Sequence, residues 1–137
     1  MKNNKLTILL VEDDKIDVMT MKRALSELKI VNPVVVCENG LEALNYLNNT
    51  EHKTPGIILL DLNMPKMNGL EFLQQRILND VLKRIPTVVL TTSKDEQDKI
   101  ESFNLGVAGY MIKPVDYMQF VEIVKTIDLY WTLSELP

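Results

Sequence analysis

The sequence predicts an α/β protein built on a doubly wound, five-stranded parallel sheet with five helices. Three observations carry this. Five short apolar runs alternate with segments of helical period, so the order is strand then helix, five times over. Most of the runs are unbroken apolar stretches without polar alternation, the pattern of strands covered on both faces. The connections are short, and no linker, internal repeat or Pro/Gly/Ser-rich spacer interrupts the alternation. The expected organisation is a single domain over 1–137, with residues 129–137 as a short tail and no effector domain. A chain of 137 residues is long enough to bury its own core.

The elements follow in order. Leu6–Val11 (LTILLV) is the first strand. Its basic start and short apolar stretch run straight into Glu12, Asp13 and Asp14 without a small-residue cleavage site, so it is not a signal peptide. Asp14 is the expected N-cap of the first helix, where Val18, Met21, Leu25 and Leu28 share a face. Val34–Cys37 (VVVC) is the second strand. Asn39-Gly40 opens the second helix, with Leu41, Leu44 and Leu47 repeating. Ile57–Leu60 (IILL) is the third strand, and Asn68-Gly69 opens a helix carrying Leu70, Leu73 and Ile77. Thr87–Leu90 (TVVL) is the fourth strand. Ser93 is the expected cap of the fourth helix, which carries Ile100 and Phe103 and stops at Gly106, a C′ glycine. Gly109–Ile112 (GYMI) is the fifth strand. The last helix starts near Asp116, with Phe120, Val124, Ile127 and Trp131 on one stripe.

Composition narrows the function. Hydrophobic residues make up 46% and charged residues 25%, which excludes low-complexity disorder and rod-like repeats. A net charge of −4 argues against binding nucleic acid through its phosphate backbone. No apolar run approaches the length that inserts in a bilayer, and the single cysteine, Cys37, allows no internal disulfide, so a cytoplasmic location is expected. Cys37 itself is expected to be a buried strand residue.

The polar residues collect where an open doubly wound sheet binds ligands, beyond the carboxyl ends of the strands. Strand 1 ends in Glu12, Asp13 and Asp14, strand 3 in Asp61, strand 4 in Thr91, Thr92 and Ser93, and strand 5 in Lys113-Pro114. If the strand order is 2-1-3-4-5, strands 1 and 3 are neighbours and their acids converge. Carboxylates so placed repel one another unless a hard cation or a lysine compensates. Mg²⁺ takes oxygen ligands of this kind, and Lys113 supplies a second positive charge. A cation, a carboxylate, a hydroxyl and an ammonium together make a phosphoryl-transfer site with the carboxylate as nucleophile. Singly, each of these residues has a plainer reading as a cap, a turn former or a solvated lysine; their joint placement at four strand ends does not.

With these residues in hand, the chain resembles the receiver domain of two-component response regulators. ILLVEDD is similar to that family's first strand and acidic pair, IILLDLNMPKMNGLEFL to its phosphoacceptor strand and loop, VVLTTS to its fourth strand, and GYMIKPV to its fifth. The resemblance covers almost the whole chain. It implies a flavodoxin-like sheet of order 2-1-3-4-5 and the following roles. Asp61 is the phosphoacceptor. Asp13 and Asp61 bind Mg²⁺ directly, the backbone carbonyl of Asn63 is a further ligand, and Glu12 acts through water. Thr91 and Lys113 each bond a phosphoryl oxygen, and Tyr110 is the switch aromatic that turns as Thr91 moves. Thr92 and Ser93 stand where side chains affect access and phosphoryl lifetime in the family. The segments VVVCENGLEALNYL, LKRIPTVVLTTS and IKPVDYMQFVEIVKTIDLYWTLSELP look like the small stand-alone regulators paired with bacterial phytochrome kinases.

The implied partners are therefore a sensor histidine kinase, of phytochrome type on the narrower resemblance, and a second copy or docked protein. The surface expected for that contact is the helix 4–strand 5–helix 5 face, extended by Tyr130, Trp131, Leu133 and Leu136 of the tail. Two other classes fit less well. A haloacid-dehalogenase-like phosphatase carries a second Asp two residues past its nucleophile, where this chain has Asn63. A flavin-binding module needs a phosphate cradle after strand 1, where Glu12, Asp13 and Asp14 would repel a phosphate.

Overall fold

The computed structural model describes residues 6–133. Five strands, β1 (Ile8–Val11), β2 (Val34–Cys37), β3 (Ile57–Leu60), β4 (Thr87–Thr91) and β5 (Gly109–Ile112), form one sheet of order β2-β1-β3-β4-β5. Every pairing is parallel. Five helices alternate with them: α1 (Lys15–Glu27), α2 (Gly40–Asn48), α3 (Gly69–Arg76), α4 (Glu96–Asn104) and α5 (Tyr117–Leu133). A single 3₁₀ turn, Leu82–Arg84, precedes β4.

The unbroken apolar runs have the reason the sequence implied. β1, β3 and β4 are buried at every position, because each lies inside the sheet with helices on both faces. Alternate residues feed two cores. Ile8, Leu10, Ile57, Leu59, Val88 and Leu90 pack under α1 and α5. Leu9, Val11, Ile58, Leu60 and Val89 pack under α2 and α3, with Ala43, Phe72 and Leu73. Fully burying a Leu, Ile or Phe side chain contributes about 1.5–3 kcal/mol, so these two layers dominate stability.

Several helix details differ from the expectations. α2 leaves Leu41 47% exposed and buries Gly40 and Ala43 instead. A strict spacing of three drifts about 60° per step around a helix, so Leu41 leaves the face that Leu44 and Leu47 share. The N-cap of α4 is Asp95, whose carboxylate accepts from Gln97 N–H at 2.8 Å; Ser93 lies earlier and is engaged elsewhere. Ile100 and Phe103 are 47% and 46% exposed, and Ser102 is the residue α4 buries. Asp14 caps α1 as expected, accepting from Ile16 and Asp17 N–H, and Gly106 follows α4 at φ +87.

The tail expectation needs correction. α5 continues to Leu133, so residues 129–133 are helix, and Trp131 is 2% exposed inside the α1/α5 core. The apolar stripe Phe120, Val124, Ile127 and Trp131 is one continuous buried face. Gly56 makes room for the Trp131 ring, since a Cβ there would lie 2.7 Å from Trp131 Cζ2. Tyr130 remains exposed, and Leu136 lies outside the described residues.

Candidate functional site

The register of the sheet assembles the site. Val11 pairs with Leu60, so the next residues, Glu12 and Asp61, leave the sheet side by side. Thr91 pairs with Ile112, which places Lys113 just past the end of β5. Glu12, Asp61 and Lys113 continue the alternation of Leu10, Leu59 and Met111, and so belong to the α1/α5 side. Thr91 and Tyr110 continue that of Val89 and share the opposite side.

Local structure holds each group. Asp14 caps α1 and its N–H donates to Glu12 Oε2 at 3.2 Å. Asp61 N–H donates to the Val11 carbonyl at 3.0 Å, and Asp61 Oδ1 accepts from Leu62 N–H at 2.8 Å. The β3–α3 loop folds back tightly on this backbone. A Cβ on Gly69 would sit 2.5 Å from the Asp61 carbonyl oxygen, so glycine is required there. A capping box between Asn68 and Glu71 then starts α3.

One carboxylate oxygen from each of Glu12, Asp13 and Asp61 lies within 4.8 Å of the other two. Glu12 and Asp61 are buried, and Asp13 is exposed. Lys113 Nζ donates to Glu12 Oε1 and, at 2.9 Å, to Asp17 Oδ2, and lies 3.8 Å from Asp61 Oδ2. Burial pushes the Glu12 carboxyl up to about 7, aided by the Asp61 charge and opposed by the Lys113 hydrogen bond. Burial also works against the Lys113 ammonium, but the bonds to Glu12 and Asp17 outweigh it and hold its pKa above the usual value. Glu12, Asp17 and Asp61 share one ammonium and Asp13 stands beside two of them, so carboxylates outnumber the cation, and an all-oxygen donor set of this kind fits a hard divalent cation.

Of the residues predicted from sequence, the structure therefore brings Glu12, Asp13, Asp61 and Lys113 together. Thr91 is fully buried at the end of β4, and its Oγ1 accepts from Ser93 N–H at 3.3 Å. Tyr110 is half-buried and its hydroxyl donates to the Ser93 carbonyl at 3.0 Å. Burial raises the Tyr110 pKa, with the charges of Asp98, Asp95 and Asp61 adding to it. Asn63 lies in the exposed β3–α3 loop. Asp17 was missed. Its sequence signal was available: Asp14 as N-cap sets the phase of α1, and Asp17 lies in that helix's first turn, facing the same strand ends.

Comparison with known proteins decides the family. The response regulator receiver domain profile matches residues 8–125. The chain is a response regulator receiver domain. This receiver is 38% identical over 133 residues to "Response regulator Rcp1" of Synechocystis sp., covering 94% of this chain and 90% of that protein. Among solved structures it is similar to the phosphorylated cyanobacterial phytochrome response regulator RcpA, at a TM-score of 0.90 and 38% identity over 97% of this chain and 99% of that one. It is also similar to the Mn²⁺-bound form of Rcp1, at a TM-score of 0.88 and 37% identity over 96% of this chain and 99% of that one. The receiver thus belongs to two-component signalling, with an acidic pocket suited to Mg²⁺ and a phosphoacceptor aspartate, and it is regulatory. Receiver domains are phosphorylated by histidine kinases. Among the described residues, no helix is long and apolar enough to cross a membrane.

Proposed function

We propose that this receiver takes a phosphoryl group from a histidine kinase onto Asp61 and passes the signal on through protein contacts. The observation that carries this is the meeting of Glu12, Asp13 and Asp61, with the Lys113 ammonium bonded to Glu12 and 3.8 Å from Asp61 Oδ2. Asp61 attacks phosphorus; the new O–P bond forms as the P–N bond of a phosphohistidine breaks and the imidazole keeps the electron pair. Asp13 and Asp61 would hold Mg²⁺ directly, with the Asn63 carbonyl as a further ligand and Glu12 acting through water. Mg²⁺, when bound, neutralises charge on the phosphoryl oxygens. Lys113 bonds one of those oxygens and Thr91 another, and Tyr110 turns as Thr91 moves. The same groups serve hydrolysis, in which a water oxygen bonds phosphorus as the Asp61 O–P bond breaks and the carboxylate keeps the electron pair; Thr92 narrows access to the phosphoryl group and Ser93 tunes its lifetime.

The kinase partner is of phytochrome type, by likeness to relatives whose names carry that word. A second copy or a downstream protein docks on the α4–β5–α5 face, where Ile100, Phe103 and Tyr130 are exposed. On this reading the receiver works in the cytoplasm, and its contacts are with proteins rather than with nucleic acid or a bilayer.

Incubation with acetyl phosphate and Mg²⁺ tests the central claim by intact mass. Wild type should gain one phosphoryl group, and Asp61→Asn or wild type in EDTA should gain none. Equal addition to wild type and Asp61→Asn would sink the assignment. For the docking face, sedimentation with beryllofluoride should show self-association that Phe103→Glu abolishes.

A further inference from the structure

The β4–α4 segment holds more hydrogen bonds than phosphoryl chemistry uses, and they meet at Ser93. Its hydroxyl donates to Asp98 Oδ2 at 2.7 Å and accepts from Asp95 N–H at 3.3 Å. Its backbone N–H donates to Thr91 Oγ1 at 3.3 Å, and its carbonyl accepts from the Tyr110 hydroxyl at 3.0 Å. Asp98 is anchored in turn: its backbone carbonyl accepts from the hydroxyl of Ser102, the residue that α4 buries.

We propose that Asp98, acting through Ser93, is a positioning residue that latches Thr91 and Tyr110 in the arrangement seen without phosphoryl. This rests on the function proposed above. Thr91 can follow a phosphoryl group on Asp61 only by drawing away from Ser93 N–H, and that contact is already long. Ser93 can travel with Thr91 only if its short bond to the Asp98 carboxylate breaks or the first turn of α4 moves too. Hydrogen bonds to an ionised acceptor are the stronger kind. The Tyr110 hydroxyl holds the same residue from the other side. Two side chains that must move therefore share one anchor, and Asp98 pins that anchor to α4. A latch present in only one of two arrangements biases the equilibrium between them and taxes the ligand that favours the other.

The test is beryllofluoride binding in excess Mg²⁺, measured by calorimetry and by amide NMR shifts along α4. Asp98→Ala and Ser93→Ala should each bind about threefold to tenfold more tightly than wild type, the span one hydrogen bond covers. Because both remove the same bond, the double variant should bind no more tightly than the tighter single one. Asp98→Asn keeps an acceptor oxygen but loses its charge, and should fall between wild type and Asp98→Ala. Ser93 and Asp98 are only half-buried, so these chains should fold; Ser93→Cys gives the same comparison if Ser93→Ala does not. Unchanged or weaker binding in Asp98→Ala and Ser93→Ala, or effects that add in the double variant, would overturn the latch. A wild-type protein that binds no beryllofluoride would overturn the phosphoacceptor function itself, so the two failures are distinguishable.

Discussion

Two cations among the described residues are drawn out of water, the half-buried Lys113 and the buried Arg76, one at each end of the sheet, and they are solvated in opposite ways. Lys113 lies beyond the carboxyl ends of the strands among the carboxylates of Glu12, Asp17 and Asp61. Arg76, 2% exposed, lies near the amino ends of β4 and β5. Its guanidinium donates to the carbonyls of Leu105 at 3.2 Å, Lys83 at 3.1 Å and Ile85 at 2.8 Å. Burial lowers the Arg76 pKa, with no carboxylate offsetting it. Burying either charge costs free energy unless its hydrogen bonds are met. Carboxylates can exchange a lysine for a metal or a phosphoryl group, so the Lys113 end is built to change partners. Backbone carbonyls cannot leave, so Arg76 ties the end of α3, the 3₁₀ turn and the end of α4 into one unit. A cation held away from water thus serves exchange at one end and permanence at the other.

Removing each cation should separate the two roles. Lys113→Met should cut phosphoryl uptake from acetyl phosphate by about 10²-fold, the usual loss of one preorganised donor. In Mg²⁺ its thermal stability should change little, because the cation can take over the charge of the buried Glu12 and Asp61 carboxylates that the lysine leaves. Arg76→Met should do the reverse. It removes the guanidinium from the part-buried carbonyls of Leu105 and Lys83 and leaves that of Ile85 with the Thr87 hydroxyl alone, and should destabilise the fold by about 2–3 kcal/mol, read by urea unfolding. Uptake per folded molecule should be unchanged. Arg76→Lys should recover only part, because an ammonium cannot span three carbonyls as the guanidinium fork does. Loss of uptake in a well-folded Arg76→Met would break the comparison.

The exchanging end was legible in the sequence and the permanent end was not. Glu12, Asp61 and Lys113 each follow an unbroken apolar run, so the ends of the strands announced them. Arg76 gives no such signal, because its partners are backbone carbonyls and any residue supplies those. Asp98 gives no signal either, since nothing in the order of residues ties it to Ser93. Ser93 was taken for the cap that Asp95 supplies, two residues on. Trp131 was assigned to an exposed tail because the length of α5 was underestimated. Its place on the Phe120, Val124, Ile127 stripe was the correct clue, and the space over Gly56 that receives it appears only in three dimensions.

A smaller effect concerns Cys37, at the carboxyl end of β2, whose carbonyl accepts from Glu12 N–H at 2.9 Å. Burial pushes its thiol up to about 11 from an ordinary 9.0, with the charge of Glu42 adding to it. Below pH 9 the thiol is neutral in both folded and unfolded chains, and its contribution is intact. Between pH 9 and 11 only the unfolded thiol ionises, so stability should fall with rising pH by about 2–3 kcal/mol in total. Unfolding followed across that range in wild type and Cys37→Ala isolates the effect, because the other alkaline titrations are common to both. Parallel pH profiles would remove it. Alkylation of the native thiol at pH 8 should be slow for the same reason.

The smallest effect compares one kind of strain at the two ends. Lys29, just past α1 on the amino side of the sheet, and Lys66, in the β3–α3 loop beside Asp61, both have left-handed backbones, at φ 58 and 63. A non-glycine residue there is strained by about 1–2 kcal/mol. Glycine relieves this but adds freedom to the unfolded chain worth about 0.4–1 kcal/mol, so the net gain should be about 0.5–1 kcal/mol at either position. The sites should differ in function. Lys29→Gly lies far from the acids and should melt later with Mg²⁺ affinity unchanged. Lys66→Gly should gain similar stability but loosen the loop that carries Asn63, weakening Mg²⁺ binding measured by titration. Equal Mg²⁺ affinity in both variants would show that the loop's fixed shape, unlike the carboxylates it follows, plays no part in holding the metal.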